Sequence, residues 1–149
     1  MSVKSLGYVV IEATRPAEWD RFLTRVAGAM RAPDAADGAA LYRVDERSFR
    51  FRIEGGAADR LVAPGYEVES AAAYEALAAK IAAAGREVLR ASAGEAAARG
   101  VSAFFRTSDP AGNGLEFYHG DSRSDAPFVS PAGVSRFVTG DLGMGHAVL

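Results

Sequence analysis

The sequence predicts an α+β fold made of two βαβββ modules. Three observations predict it. The stretch Gly7-Tyr8-Val9-Val10-Ile11-Glu12 recurs 58 residues later as Gly65-Tyr66-Glu67-Val68-Glu69. Each copy is followed by one stretch with helical apolar spacing. Short runs rich in β-branched and aromatic residues then follow each helix. A self-similar period of this size marks a duplicated supersecondary unit, here expected as two small sheets sharing one assembly.

Leu6 to Ala13 reads as the first strand. Thr14 and Pro16 open a helix, because proline fits the first helical position. Trp19, Phe22, Leu23 and Val26 follow at i, i+3, i+4 and i+7, which predicts one face toward a core. Gly28 lies near the end, and Pro33, Asp34, Asp37 and Gly38 form a loop. Leu41 to Val44 is a short strand. Ser48 to Glu54 alternates, with Phe49, Phe51 and Ile53 expected inside and Arg50, Arg52 and Glu54 outside. Gly55 and Gly56 end it, and Leu61 to Glu69 opens the second copy.

Ser70 can cap a helix running to about Gly85, with Tyr74, Leu77 and Ile81 on one stripe. Arg86 to Arg90 reads as a strand, Ser92 to Gly100 as a loop or short helix, and Val101 to Thr107 as a strand. Asp109 to Gly114 is a turn before a last strand, Leu115 to His119. After Gly120 the periodicity stops. Pro127 and Pro131 fall in a stretch, 121 to 140, that reads as a surface linker. Gly143-Met144-Gly145-His146-Ala147-Val148-Leu149 then resembles a third module opening. A strand with no module behind it leads to the expectation that the chain is truncated there.

Composition bounds the function. The chain has 149 residues, 49% of them hydrophobic and 24% charged, the balance of an ordinary globular protein. A net charge of −2 argues against a general basic field for nucleic acid. Arg43, Arg47, Arg50 and Arg52 interleave with Phe49 and Phe51, but the alternation reads as a solvated strand face. There is no cysteine, which excludes disulfides, thiolate metal sites and a cysteine nucleophile. Gly140, Gly143 and Gly145 lack the following helix a phosphate loop needs. No nucleophile elbow is present. No apolar run of 18 residues or signal-peptide pattern occurs, so the default expectation is a cytoplasmic protein with no membrane partner.

Several segments, in order, resemble the extradiol ring-cleavage dioxygenases of the vicinal oxygen chelate superfamily. They are Ser5-Leu6-Gly7-Tyr8, Leu41-Tyr42-Arg43-Val44-Asp45, Ala63-Pro64-Gly65-Tyr66-Glu67-Val68, Arg99-Gly100-Val101, Asp109-Pro110-Ala111-Gly112 and Leu115-Glu116-Phe117-Tyr118. Val134 to His146 completes the set. The resemblance implies an amino-terminal, non-catalytic domain over 1–120, a linker over 121–140, and the first strand of a catalytic domain over 141–149. It implies a complete enzyme that opens catechol-type rings with Fe(II) and O₂.

By that resemblance His146 is the first iron ligand, and Val148, two residues on, shares its strand face and lines the substrate pocket. Iron held by two histidines and one carboxylate leaves positions open for substrate and oxygen. With only His119 and His146 available, this chain alone is expected to bind no iron and to have no catalytic residue of its own. Glu116 stands where metal-binding relatives place a glutamate. It is expected to be a structural polar group near Tyr8 and Tyr66, with His119 pointing away from it.

Two other readings remain. One is a free-standing module that holds a small aromatic ligand near Tyr8, Tyr66 and Glu116. The other is a metal site shared between chains through His146 and Glu116. An exposed half-interface also predicts a homo-oligomer.

Overall fold

The computed structural model describes residues 3–140 and 143–148. It has the predicted modules. The first comprises β1 (Val3–Ala13), α1 (Pro16–Arg25), β2 (Met30–Arg31), β3 (Ala40–Arg43) and β4 (Phe51–Gly55). The second comprises β5 (Arg60–Val68), α2 (Ala71–Ala83), β6 (Leu89–Arg90), a short α3 (Ala93–Ala98), β7 (Val101–Ser108) and β8 (Gly114–Asp121).

The strands form one sheet of eight, in the order β2-β3-β4-β1-β5-β8-β7-β6, and not the two small sheets expected. The junction explains this. β1 and β5, the two module openers, pair antiparallel along nearly their whole length, from Val3–Val68 to Glu12–Arg60. Each opener also pairs parallel with the last strand of its own module. The strand order of the second half therefore mirrors that of the first.

One face of the sheet carries α1 and α2. Leu23 of α1 packs with Ala13, Tyr42, Val44 and Ile53, while Tyr74 and Ala78 of α2 pack with Val68 and Phe105. Ser70 caps α2 by accepting from Ala73 N at 3.2 Å, and Tyr74, Leu77 and Ile81 face this core as expected. α1 departs from expectation. Only Leu23 is buried and Trp19 partly so; Phe22 and Val26 are 50% and 70% exposed. The helix ends at Arg25, so Val26 sits at its cap, beyond the periodic face.

The other face holds Tyr8, Val10, Leu41, Phe49, Phe104 and Tyr118, covered by Ala96 of α3. Ser92 and Glu95 form a reciprocal capping box at the start of α3. Phe49 thus lies on the face opposite Phe51 and Ile53, because β4 begins only at Phe51 and the alternation does not extend back to it. No helix among the described residues is long and apolar enough to cross a membrane.

Candidate functional site

The face that carries Tyr8 is where a strand-borne carboxylate could hold a metal. β8 points Glu116 and Tyr118 to this face and turns Phe117 and His119 to the other, where His119 meets the Tyr74 ring at 5.1 Å. Glu116 is 1% exposed. Burying a carboxylate is costly unless its oxygens are paired and hydrogen-bonded. Here Tyr8 donates to Oε2 at 2.7 Å. Arg99 donates from Nε to Oε2 and from Nη2 to Oε1, both at 3.1 Å. Arg106 Nε donates to Oε1 at 3.3 Å. Arg99 thus grips both oxygens in the two-pronged geometry that makes guanidinium–carboxylate pairs strong.

A second cluster lies across the same face. Arg47 donates to Glu67 at 2.6 Å and contacts Asp121 at 2.7 Å. Lys4 and Ser5 also donate to Glu67. Arg50 pairs with Asp45 and donates to the Gly7 carbonyl at 2.7 Å. Arg52 pairs with Asp37 and Glu54 and donates to the Ala98 carbonyl. Between the clusters the Tyr8 ring stacks on Tyr118 at 5.0 Å and lies 4.9 Å from Phe49.

Arg43, Arg47, Arg50 and Arg52 are therefore all buried, which overturns the expected solvated face. They cannot form a nucleic-acid surface. The physical reason is that both faces of the sheet are covered, one by α1 and α2 and the other by α3, the surrounding loops and the residues after β8. The charge is accommodated by pairing each cation with carboxylates or carbonyls.

Electrostatics follow the same geometry. Burial, then the Glu116 charge and hydrogen bond, push the Tyr8 hydroxyl well above its ordinary value of 10. Burial alone would raise the Glu67 carboxyl, but hydrogen bonds and charge from Lys4 and Arg47 outweigh it, and it lies below its ordinary 4.5. Asp45 is likewise lowered from 3.8: burial raises it, but Arg50 and the Thr139 hydroxyl prevail. Carboxylates lowered in the fold stabilise it above their unfolded values and lose that contribution as pH falls through the folded ones. The midpoint of thermal unfolding should therefore be flat from pH 7 to 5 and fall from about pH 4.5 downward. Calorimetry across that range checks it, and a midpoint unchanged at pH 3 would contradict the pairing.

The residues present do not fit iron at this face. Glu116 has both oxygens taken by a fixed cation and a phenol. Among the described residues no three of His, Cys, Asp and Glu stand close enough to hold a metal ion. Tyr66 is not near Glu116: it stacks on Phe117 at 5.7 Å, on the helix face. The space left beside Tyr8, Phe49 and Tyr118 is a cavity of only about 10 Å³, room for a single water and not for an aromatic ring. An aromatic ligand would have to sit instead in the larger cavity on the Glu116 side, about 440 Å³, whose lining of Asp37, Glu54, Glu95, Arg99, Arg106 and Glu116 is mostly charged. A site shared between chains through Glu116 would have to break its existing pairs.

His146 and Val148 are both exposed. The expected strand over 143–149 is not formed among the described residues. Gly143 makes one isolated parallel bridge to Leu6, and 145–148 are irregular. Of the expected strand over 141–149, Asp141, Leu142 and Leu149 lie outside the described residues. Arg99 and Glu67, central to the charge clusters, entered the sequence reading only within the repeat and the matching segments, and Arg47 only as part of the solvated face; no buried cluster was expected of any of them. Glu67 alone carried a positional signal, a charge in β5 two residues from Gly65, whereas Arg47 lies between β3 and β4 and Arg99 caps α3.

Comparison with known proteins agrees with this geometry. The family described as "Dihydroxybiphenyl dioxygenase BphC D1" matches residues 6–56. The chain is 41% identical to the biphenyl-2,3-diol 1,2-dioxygenase of Pseudomonas sp. strain KKS102, over 99% of this chain and 50% of that protein. It is 35% identical to an iron-dependent extradiol dioxygenase of Rhodococcus jostii strain RHA1, over 100% of this chain and 49% of the other. It superposes with a TM-score of 0.91 and 30% identity on the crystal structure of BphC, a halotolerant catechol dioxygenase, covering 97% of this chain and 49% of that one. The chain spans about half the length of the curated relatives it matches.

Proposed function

We propose that this chain, a homologue of the extradiol ring-cleaving dioxygenases with their vicinal oxygen chelate fold, serves as the non-catalytic amino-terminal half of such an enzyme. In this reading 1–120 form the supporting domain, 121–140 the connection, and 141–149 the segment that becomes the first strand of the catalytic unit once that unit supplies its partner strands. That unit opens a catechol-type ring beside its hydroxyls, with Fe(II) supplying the site where catecholate and O₂ meet. His146 is the first iron ligand and Val148 lines the aromatic pocket. The remaining ligands come from outside this chain.

The observation that carries the reading is the closed state of Glu116. A domain whose one suitably placed carboxylate is locked by Arg99, Arg106 and Tyr8 has exchanged metal binding for packing. This chain's contribution is then rigid support. Self-association through the exposed side of α1, at Phe22 and Val26, belongs to the same reading.

Two preparations test it. The 149-residue chain, titrated anaerobically with Fe(II) and 2,3-dihydroxybiphenyl and then exposed to air, should bind no stoichiometric iron and yield no yellow product. Sedimentation of the same sample reads self-association. Spliced in place of the matching half of the Pseudomonas KKS102 enzyme, the chain should support ring cleavage, and His146→Ala should abolish iron retention. Turnover by the isolated chain, or iron retained by His146→Ala, would overturn the proposal.

A further inference from the structure

The residues after β8 were expected to be a surface linker, yet they are tied to the first module at successive points. We infer that Arg43 and Gly143 are positioning residues, which clamp this segment onto the first module and so fix where His146 stands. The functional meaning of the clamp rests on the reading of His146 as an iron ligand; its geometry does not.

Arg43 lies in β3 and is 2% exposed. A buried guanidinium is costly unless its donors are used. Nη1 donates to the Ala126 carbonyl and Nη2 to the Pro127 carbonyl, each at 2.8 Å. These two carbonyls lie in a stretch with no strand partner, so the charged fork takes the place of a sheet ladder. Nη2 also meets Met30 Sδ at 3.3 Å, and that sulfur accepts from Val129 N. Ser130 Oγ then donates to the Gly28 carbonyl at 2.7 Å.

Further along, Phe137 packs on the cluster containing Tyr42 and Val44, and its ring meets Phe128 at 5.8 Å. Thr139 faces Asp45 across a shared cavity and helps hold its carboxyl below the ordinary value. The last tie is at β1. Met144 N donates to the Leu6 carbonyl at 3.0 Å beside the Gly143–Leu6 bridge. Gly143 has φ +65°, and a Cβ there would run into the Leu6 carbonyl oxygen. Only glycine lets the segment lie this close to β1. His146 follows two residues after Met144, at most about 7 Å of chain. The first module thus sets the position of His146 within a short reach.

The test needs no iron. His119 and His146 are the only histidines and there is no cysteine, so a nitroxide on Glu69→Cys can be read at the His146 imidazole, while His119, beside the label by the Glu67–Tyr118 register, is broadened in every variant. The expected result is a defined paramagnetic broadening of His146 that collapses in Gly143→Ala, with His119 unchanged. In Arg43→Met, amides of 126–130 should exchange at least about tenfold faster, since two charge-assisted hydrogen bonds are lost. Arg43→Lys should restore part of the protection, because an ammonium can still meet one carbonyl. A His146 as mobile in the parent chain as in Gly143→Ala, or exchange over 126–130 indifferent to Arg43→Met, would overturn the inference. If the clamp is found but His146→Ala retains iron in the spliced enzyme, the iron reading falls and the clamp stands.

Discussion

Arg99→Met should be among the most damaging single substitutions in this protein, lowering stability by roughly 3–5 kcal/mol, the usual cost of removing one partner of a buried ion pair. Methionine fills much of the arginine volume, so the loss is one of charge and not of packing. Glu116, 1% exposed, would keep its bonds from Tyr8 and Arg106 but lose both contacts from Arg99. Arg106 is a poor substitute: its side chain is 40% exposed, it approaches one oxygen only, at 3.3 Å, and it is shared with Glu95. Glu54 would also lose a partner, at 3.3 Å.

The pair can be separated from its members by a double-mutant cycle. Glu116→Gln in the Arg99→Met background removes the stranded charge while leaving an acceptor for Tyr8. That double variant should recover more than half of the loss, as read by urea denaturation midpoints with unchanged slopes. If the two substitutions simply add, Arg99 does not act through Glu116, and the account of this face as a closed charge lock fails.

Such a lock stores little net stability, because desolvating both ions offsets most of their attraction. Its consequence is specificity. With Arg99 seated, both Glu116 oxygens are engaged, and a divalent cation would have to displace a guanidinium held by Glu116 and Glu54 together. Metal binding at this face would therefore cost those pairs, which fits the supporting role proposed above.

The helices and central strands were legible because their signals are local. Ser70 at the start of α2, its Tyr74-Leu77-Ile81 stripe and Gly85 at its end need only neighbours in sequence. Three things were not legible, each for a physical reason. Alternation in Arg50 to Glu54 gives the parity of side chains but not which side faces water; both sides here are covered. The repeat of Gly-Tyr suggested that Tyr8 and Tyr66 are equivalent, but a bulge in β1 between Leu6 and Tyr8 sets Tyr8 opposite Gly65 and turns Tyr66 to the helix face. The apolar letters of 143–148 express propensity alone, and a strand requires a partner along its length. Leu6 supplies one bridge only. Within the candidate site, Glu116 and its neighbour Tyr8 were found from the sequence, while Arg99, 17 positions away in sequence from Glu116, is brought to it only by the turn from α3 into β7.

Gly65→Ala should be the other severe substitution, at roughly 3–4 kcal/mol, combining overpacking with a strained buried hydrogen bond. Gly65 pairs with Tyr8 on one side and Glu116 on the other. A Cβ there would fall inside the Tyr8 ring. The ring has nowhere to go: its hydroxyl is held by Glu116 at 2.7 Å, and its faces rest against Tyr118 and Phe49. Withdrawal would strand Glu116 of a donor as well as open a gap. Gly85→Ala offers the control. That glycine has φ +75° with open space around it, so alanine there should cost only about 1 kcal/mol of backbone strain. Adding Tyr8→Leu to Gly65→Ala should relieve the steric part and leave the hydrogen-bond part, giving a coupling of about 1–2 kcal/mol in denaturation midpoints. Equal costs at Gly65 and Gly85 would mean that the Tyr8 ring is free to move, and that the aromatic layer between the two charge clusters is looser than its contacts imply.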